Sequence, residues 1–168
     1  MTLIIVYTII SFLLDGLISN YTAINIIDPS YFRTIYSIIA LVIIYNYFDN
    51  ENKYLKILII LGILFDIIYT NTFLLNIIIF LIIYYLIKII NTYIPNNYLT
   101  INLKSLLAIV IYHTLSYLIL LIANYQNYSV KLLLLIISRS IIMTIIYTTI
   151  SYIIFKKIYF KIYDKKIK

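Results

Sequence analysis

Residues 61–76 read LGILFDIIYTNTFLLN and place one carboxylate, Asp66, inside a long apolar run. Hydrocarbon offers a carboxylate no hydrogen-bond donor, and an aspartate at the centre of a membrane helix costs about 3 kcal/mol on insertion scales. Asp66 is therefore expected to face protein or water and not lipid.

The apolar run around Asp66 extends from residue 55 to residue 90, which corresponds to about 54 Å as a single α-helix. A bilayer core is only about 30 Å thick, so the run is expected to turn once. Its polar interruption is Tyr69-Thr70-Asn71-Thr72. Two spans, 55–70 and 72–91, are predicted on either side of this turn.

The composition predicts an integral membrane protein. The 168 residues are 64% hydrophobic and 11% charged, a balance from which no water-soluble surface can be built. Cysteine is absent, which excludes disulfides and thiolate metal sites, and no cofactor is expected. The net charge of +7 lies mainly in a tail and two loops, so it does not indicate nucleic-acid binding.

Polar interruptions divide the chain into six apolar stretches, and the expected fold is a single all-α membrane domain, 1–168. The N-terminus lacks a basic segment and a small-residue cleavage site, so it is expected to be a retained span. The predicted spans are 2–20, 31–48, 55–70, 72–91, 101–122 and 130–155, followed by a basic aromatic tail, 156–168.

The distribution of basic residues predicts that both termini are cytoplasmic, because basic flanks favour the cytoplasmic side. With six spans, the external side holds only two basic loop residues, Arg33 and Lys131. The tail is expected to meet anionic lipid. The predicted cytoplasmic side holds Lys53, Lys56, Lys88, Lys104, Lys156, Lys157, Lys161, Lys165, Lys166 and Lys168.

Polar side chains recur at helical spacing within several spans, which predicts that these faces point into the bundle. On the third span Gly62 lies one turn before Asp66 and allows close helix packing. The stripes are Thr8, Ser11, Asp15 and Ser19 on the first span, Ser105, Ile109, His113 and Ser116 on the fifth, and Ser140, Thr144, Tyr147, Thr148 and Ser151 on the sixth.

The ionisable residues of the spans are expected to form a polar cluster in the external half of the bundle. Arg139 is expected to pair with Asp66, Asp15 or both, because guanidinium geometry suits carboxylates. Alternatively, each charged side chain extends to the external interface without a partner. This alternative stays open for Asp15 and Arg33. His113 lacks metal-ligand spacing and is expected to be a packing residue. The chain has no enzyme motif. The predicted site residues are Asp15, Gly62, Asp66, His113 and Arg139.

The central stretch resembles the rod-shape-determining MreD family. Gly62 and Asp66 match its G-x-x-x-D-[LI] motif, and FLLDGL at 12–17 and DPSYF at 28–32 are supporting matches. The family usually has glycine soon after the turn, where this chain has Phe73 and Leu74.

The resemblance implies a non-catalytic membrane subunit of the bacterial cell-elongation machinery. Its partners would be an MreC-type single-span protein, wall-synthesis enzymes and the actin-like filament; whether the chain also forms a homodimer stays open. The alternative is a substrate-binding subunit of an energy-coupling-factor vitamin transporter, which has a similar six-helix architecture. Such subunits dock through small residues four apart in the first span, and here Gly16 is the only small apolar residue among residues 1–19.

Overall fold

The computed structural model of the chain describes residues 2–22, 34–48, 50–70, 72–123 and 129–167, without the side chains of 18–22, 120 and 162–167. Within these ranges the chain is helical and has no strand, which confirms the all-α prediction. The elements are α1 (Thr2–Thr22), α2 (Tyr36–Tyr45), α3 (Glu51–Phe65), a π-helical turn (Asp66–Thr70), α4 (Leu75–Tyr93), α5 (Tyr98–Ile122) and α6 (Val130–Ile167).

The second helix, α2, is the centre of the bundle. Its sequence, YSIIALVIIY, is apolar on all sides, and nine of its ten residues are buried. A helix without a polar face is stable only when other elements surround it. The other five helices all contact α2, so the core forms around it.

The remaining helices pack mainly with their neighbours in the sequence. The closest pairs are α1 with α2, α3 with α4, and α5 with α6, while α4 and α2 also contact α5. Aromatic rings fill the gaps between helices; Phe65, for example, lies 5.8 Å from Phe80 across the α3–α4 interface.

Three helices are long and apolar enough to cross a membrane: Leu75–Tyr93, Tyr98–Ile119 and Val130–Lys161. Their apolar side chains are largely uncovered by the rest of the chain, and only 11% of the most apolar part of α6 is buried. Two further apolar helices, Thr2–Leu17 and Tyr36–Tyr45, are shorter within the described residues.

Several helix ends differ from the predicted span boundaries. The predicted span 31–48 contains a shorter helix, because α2 begins at Tyr36 and is followed by a turn at Asn46 and Tyr47. The helix after the predicted turn begins slightly later than expected: the predicted span starts at residue 72, and α4 begins at Leu75. The predicted loop residues Asp28, Pro29, Arg33 and Asn71 lie outside the described residues.

The predicted span 130–155 lies within α6, and the helix continues beyond it through the basic tail to Ile167. Residues 150–167 contain no glycine or proline, and lysine is a good helix former. The apolar run ends at Lys156, but nothing in the sequence ends the helix there. Tyr47 packs against this extension, with its ring 4.6 Å from that of Tyr159.

Candidate functional site

Gly62 brings α3 into contact with the backbone of α4. A Cβ atom at this position would lie 3.0 Å from the Cα of Ile77 and 3.2 Å from its backbone nitrogen. Contacts this short with backbone atoms cannot be relieved by a side-chain rotation. The close packing that the Gly62-Asp66 spacing predicts is therefore present between α3 and the first turns of α4.

Asp66 begins the π-helical turn at the end of α3, and its carboxylate binds the first turn of α4. The Oδ1 atom accepts hydrogen bonds from the backbone N–H of Asn76 at 3.0 Å, from the Asn76 side-chain amide at 2.8 Å and from the Thr72 hydroxyl at 2.6 Å. Leu74, the N-cap residue of α4, has no side-chain cap of its own. Asp66 thus acts as the missing N-cap, from the preceding helix.

Asp15 does the same for α2. Its Oδ1 accepts from the backbone N–H of Tyr36 at 2.7 Å, and its Oδ2 accepts from that of Ser37 at 2.8 Å. The N-cap residue Ile35 has no side chain able to do this. The free N–H groups at a helix start attract negative charge, so each buried carboxylate is stabilised by the helix that follows it.

Tyr112 of α5 lies between the two carboxylates, at what we call the aspartate end of the bundle. Its hydroxyl donates to Asn76 Oδ1 at 2.7 Å, and it is close enough to Asp15 and Asp66 to interact electrostatically with both. The ring of His113 meets the Tyr112 ring edge-on at 5.6 Å. The structure therefore places Asp15 and Asp66 near Tyr112, and His113 is the next residue along α5.

Tyr69 connects the π-helical turn to α1. Its hydroxyl donates to the backbone oxygen of Phe12 at 2.7 Å. A Cβ on Gly16 would lie 2.5 Å from this hydroxyl, so a larger residue here would require the Tyr69 ring to shift. A π-helical turn contains an extra residue compared with an α-helical turn, which changes the direction of the side chains after Asp66.

The polar stripes of α1 and α6 face the interior, as predicted. Ser11 and Tyr147 form a hydrogen bond of 2.8 Å between their hydroxyls, and Thr144 forms one of 2.6 Å with Thr34, just before α2. Tyr36 packs edge-on against Tyr147 at 4.6 Å. Buried residues of these stripes are Thr8, Ser11, Asp15, Ser140, Thr144, Thr148 and Ser151.

Lys104 forms the opposite, lysine end of the bundle. It is only 4% exposed, although the sequence suggests a lysine on the flank of a span. Its ammonium group donates to the side-chain oxygens of Asn91 and Asn96 and to the backbone oxygen of Ile94. Asn46, which follows α2, accepts hydrogen bonds from the side-chain amides of Asn91 and Asn96. The ammonium group thus caps the C-terminus of α4, where cations are stabilised.

The predicted pairing of Arg139 with Asp66 or Asp15 is wrong. Among the residues that the structure describes, the one ion pair joins Lys88 to Glu51, at 2.7 Å. Arg139 is half-buried, and its Nη1 atom has no hydrogen-bond partner within the described chain. Helix capping removes the need for an ion pair, because the α2 and α4 termini already stabilise the two carboxylates.

The Glu51–Lys88 pair lies where α3 begins, at the lysine end. Its side chains are 52% and 41% exposed, respectively. The hydrogen bond from Lys88 lowers the pKa of Glu51 below its ordinary value. Exposed pairs of this kind contribute little to stability.

The buried charged side chains of this arrangement hold helices together. Asp15, Asp66 and Lys104 are buried and used as caps. Within the described ranges, no three His, Cys, Asp or Glu side chains form a group able to hold a metal ion. No family model and no curated protein matches the sequence, and no solved structure matches the fold.

Proposed function

We propose that the chain is a non-catalytic, multi-pass subunit of a bacterial cell membrane and a scaffold of the rod-shape machinery. Six spans with both termini in the cytoplasm place Asp15 and Asp66 in the external half and Lys104 near the cytoplasmic surface. The partners are an MreC-type single-span protein and, through it, wall-synthesis enzymes, while the basic end of α6 meets anionic lipid.

The observation that carries this proposal is that the buried charged groups cap helices. The two residues that match the MreD-like motif have architectural contacts: Gly62 lets α4 approach α3, and Asp66 caps α4. A catalytic or transporting carboxylate needs access to a substrate, but Asp66 is only 3% exposed. A scaffold needs a rigid bundle, and these contacts supply one.

The vitamin-transporter alternative receives less support from the packing of α1. Gly16, its small apolar residue, is covered by the ring of Tyr69. The outward side chains of this helix are bulky and include Ile5, Val6, Ile9, Ile10, Leu13 and Leu17. Between Leu3 and Leu17, a partner helix that needs close backbone approach finds no exposed small residue on this face.

The test is co-expression of the tagged chain with an MreC-type protein and, as a control, with an unrelated single-span protein. A photo-crosslinking amino acid is placed on the exposed face of α1, at Ile9 or Leu13, and on that of α6, at Ile146 or Ile153. Co-purification and crosslinks from one of these faces, with the MreC-type protein only, are expected. A monodisperse chain that neither co-purifies nor crosslinks would contradict the proposal.

A second readout separates a scaffold from an enzyme or transporter. Asp66→Asn keeps an oxygen that can accept the Asn76 N–H. If the residue is architectural, the ability of this variant to support rod shape should follow the amount of folded protein. Loss of function at a normal level of folded protein would contradict the scaffold role. Stabilisation by one compound of a vitamin panel would favour the transporter alternative.

A further inference from the structure

The helices of the bundle do not all extend equally far at the aspartate end. Asn76, in the first turn of α4, accepts a hydrogen bond from the Tyr112 hydroxyl, so α4 begins beside the middle of α5. Helix α5 continues for ten residues beyond Tyr112, to Ile122, which is about 15 Å along its axis. The α3–α4 hairpin therefore ends well short of α5 on this side of the bundle.

Helix α6 extends as far as α5. The two helices run antiparallel, with the Thr149 hydroxyl 3.4 Å from Asn102 Oδ1. From this contact α5 continues to Ile122 and α6 runs back to Val130, a length of about 30 Å in each case, which is comparable to a bilayer core. Exposed apolar side chains, as expected for contact with lipid, continue to these far ends: Leu118, Leu121, Ile122, Val130 and Leu134.

The α3–α4 hairpin has a shorter apolar surface, with polar groups at both ends. Towards the lysine end the boundary is the exposed ion pair of Glu51 and Lys88, and at the aspartate end it is the exposed Thr70. The part of α4 between Leu75, where the helix begins, and Lys88 is about 20 Å long, and the π-helical turn adds about 5 Å. The exposed apolar side chains of this surface, which we call the hairpin face, are Ile59, Ile60, Ile63, Ile67, Ile78 and Ile82.

The hairpin face is thus about 5 to 10 Å shorter than a bilayer core. A bilayer adjusts to a short apolar surface by thinning locally, at a cost that rises with each ångström of mismatch. We propose that the bilayer thins beside the hairpin face, which therefore selects lipids with short acyl chains, while α5 and α6 face a bilayer of ordinary thickness. This selection depends on the membrane placement proposed above and not on a partner protein.

Tryptophan fluorescence tests the two faces separately, because the chain has no tryptophan of its own. One full-length variant carries Ile63→Trp on the hairpin face and another carries Ile146→Trp on α6; these isoleucines are 41% and 47% exposed, respectively. Each variant is reconstituted into phosphatidylcholine vesicles, in which brominated lipids with chains of fourteen to twenty-two carbons compete with unlabelled eighteen-carbon lipid. Bromine quenches a tryptophan only at short range, so the quenching measures which lipids lie beside each face. We expect a several-fold preference for the shortest over the longest chains at Ile63→Trp, and no preference for short chains at Ile146→Trp.

Removing the charged boundary tests the cause of the preference. Glu51→Leu and Lys88→Leu together extend the hairpin face towards the lysine end without changing the net charge, and they should weaken the preference at Ile63→Trp. The matched control combines Lys157→Leu and Asp164→Leu in the basic end of α6. It also removes one basic and one acidic side chain, and it should leave the preference unchanged.

Three results would overturn the proposal and leave the co-purification test of the scaffold unaffected: no enrichment of short chains at Ile63→Trp, equal enrichment at Ile146→Trp, or an unchanged preference in the Glu51→Leu, Lys88→Leu variant. Quenching at Ile146→Trp without quenching at Ile63→Trp would also overturn it, because protein and not lipid would then cover the hairpin face. Absence of quenching at both positions would refute the membrane placement and the thinning with it. If Ile63→Trp does not fold, Ile82→Trp on α4 takes its place.

Discussion

Replacing Asp66 with alanine tests the capping role directly, and the structure allows the loss to be estimated. Without the carboxylate, the Thr72 hydroxyl and the Asn76 side-chain amide still have Thr70 Oγ1 as a partner. Only the backbone N–H of Asn76 loses its acceptor. Loss of an N-cap costs about 1 kcal/mol, and loss of a partly buried charge at a helix start costs up to about 2 kcal/mol. The expected destabilisation by Asp66→Ala is therefore about 2 to 3 kcal/mol.

Asp66→Asn should be milder, at about half of this cost, because the amide oxygen can still accept the N–H of Asn76 while the charge is lost. The free energy of unfolding is measured by titrating dodecyl maltoside micelles with SDS. The chain has twenty tyrosines and no tryptophan, so near-ultraviolet circular dichroism of the tyrosines reports the loss of tertiary packing.

Double-mutant cycles distinguish capping from an ion pair. Asp66→Ala and Arg139→Leu should be additive to within about 0.5 kcal/mol, as for residues that share no partner. Asp66→Ala and Asn76→Ala should be non-additive, because Asn76→Ala removes the side-chain amide that donates to Asp66 and leaves the backbone donor of residue 76 in place. Coupling of more than about 1 kcal/mol between Asp66 and Arg139, or a negligible effect of Asp66→Ala, would refute the capping argument.

Four further substitutions test other contacts by the same unfolding assay. Gly62→Ala should destabilise by about 1 to 2 kcal/mol, because the new methyl group overpacks the backbone at Ile77; an unchanged stability would contradict the close packing. Leu74 has a φ of 62°, so Leu74→Gly should stabilise by about 0.5 to 1 kcal/mol through relief of left-handed strain, and a loss would show that the leucine contributes packing. Tyr69→Phe should cost about 1 kcal/mol for its hydrogen bond to α1, with no cost if the contact is absent in solution. Lys104→Met leaves three acceptors without their donor and should cost about 1 to 2 kcal/mol, whereas a neutral effect would mean that water replaces the ammonium group.

Much of the fold could be predicted because it follows from hydropathy and length. The apolar run around Asp66 is too long for one span, and in the structure its two helical parts are separated between Thr70 and Leu75. The length of α6 could not be predicted from hydropathy, because hydropathy describes where an apolar run ends and not where a helix ends. The sequence 150–167 contains no residue that stops a helix, and the backbone continues through the lysines.

Of the candidate site, Asp15, Gly62 and Asp66 could be singled out from the sequence, but their partners could not. Asp15 and Asp66 are conspicuous because charge is rare in apolar sequence, and the spacing of Gly62 and Asp66 correctly indicated close packing. The acceptor role of each aspartate depends on a backbone N–H that is 21 residues away at Tyr36 and 10 residues away at Asn76. Every residue except proline has such an N–H group, so no side-chain pattern reveals the partner. The contacts of Lys104 are hidden from the sequence for the same reason, since its acceptors are neutral amide and backbone oxygens.

The two caps recur in consecutive helix pairs and explain how the bundle keeps buried charges apart. In α1–α2 and again in α3–α4, an aspartate near the end of the first helix binds the start of the second. Helix α4 then has a carboxylate at its N-terminus and the Lys104 ammonium group at its C-terminus, each matched to the sign of the helix dipole. Each of these two charges interacts favourably with the dipole of α4 at its own end of the helix, and the two groups do not contact each other. An ion pair between Asp66 and a basic residue would weaken its bond to α4, so the solitary position of Asp66 is what fixes the α3–α4 hairpin.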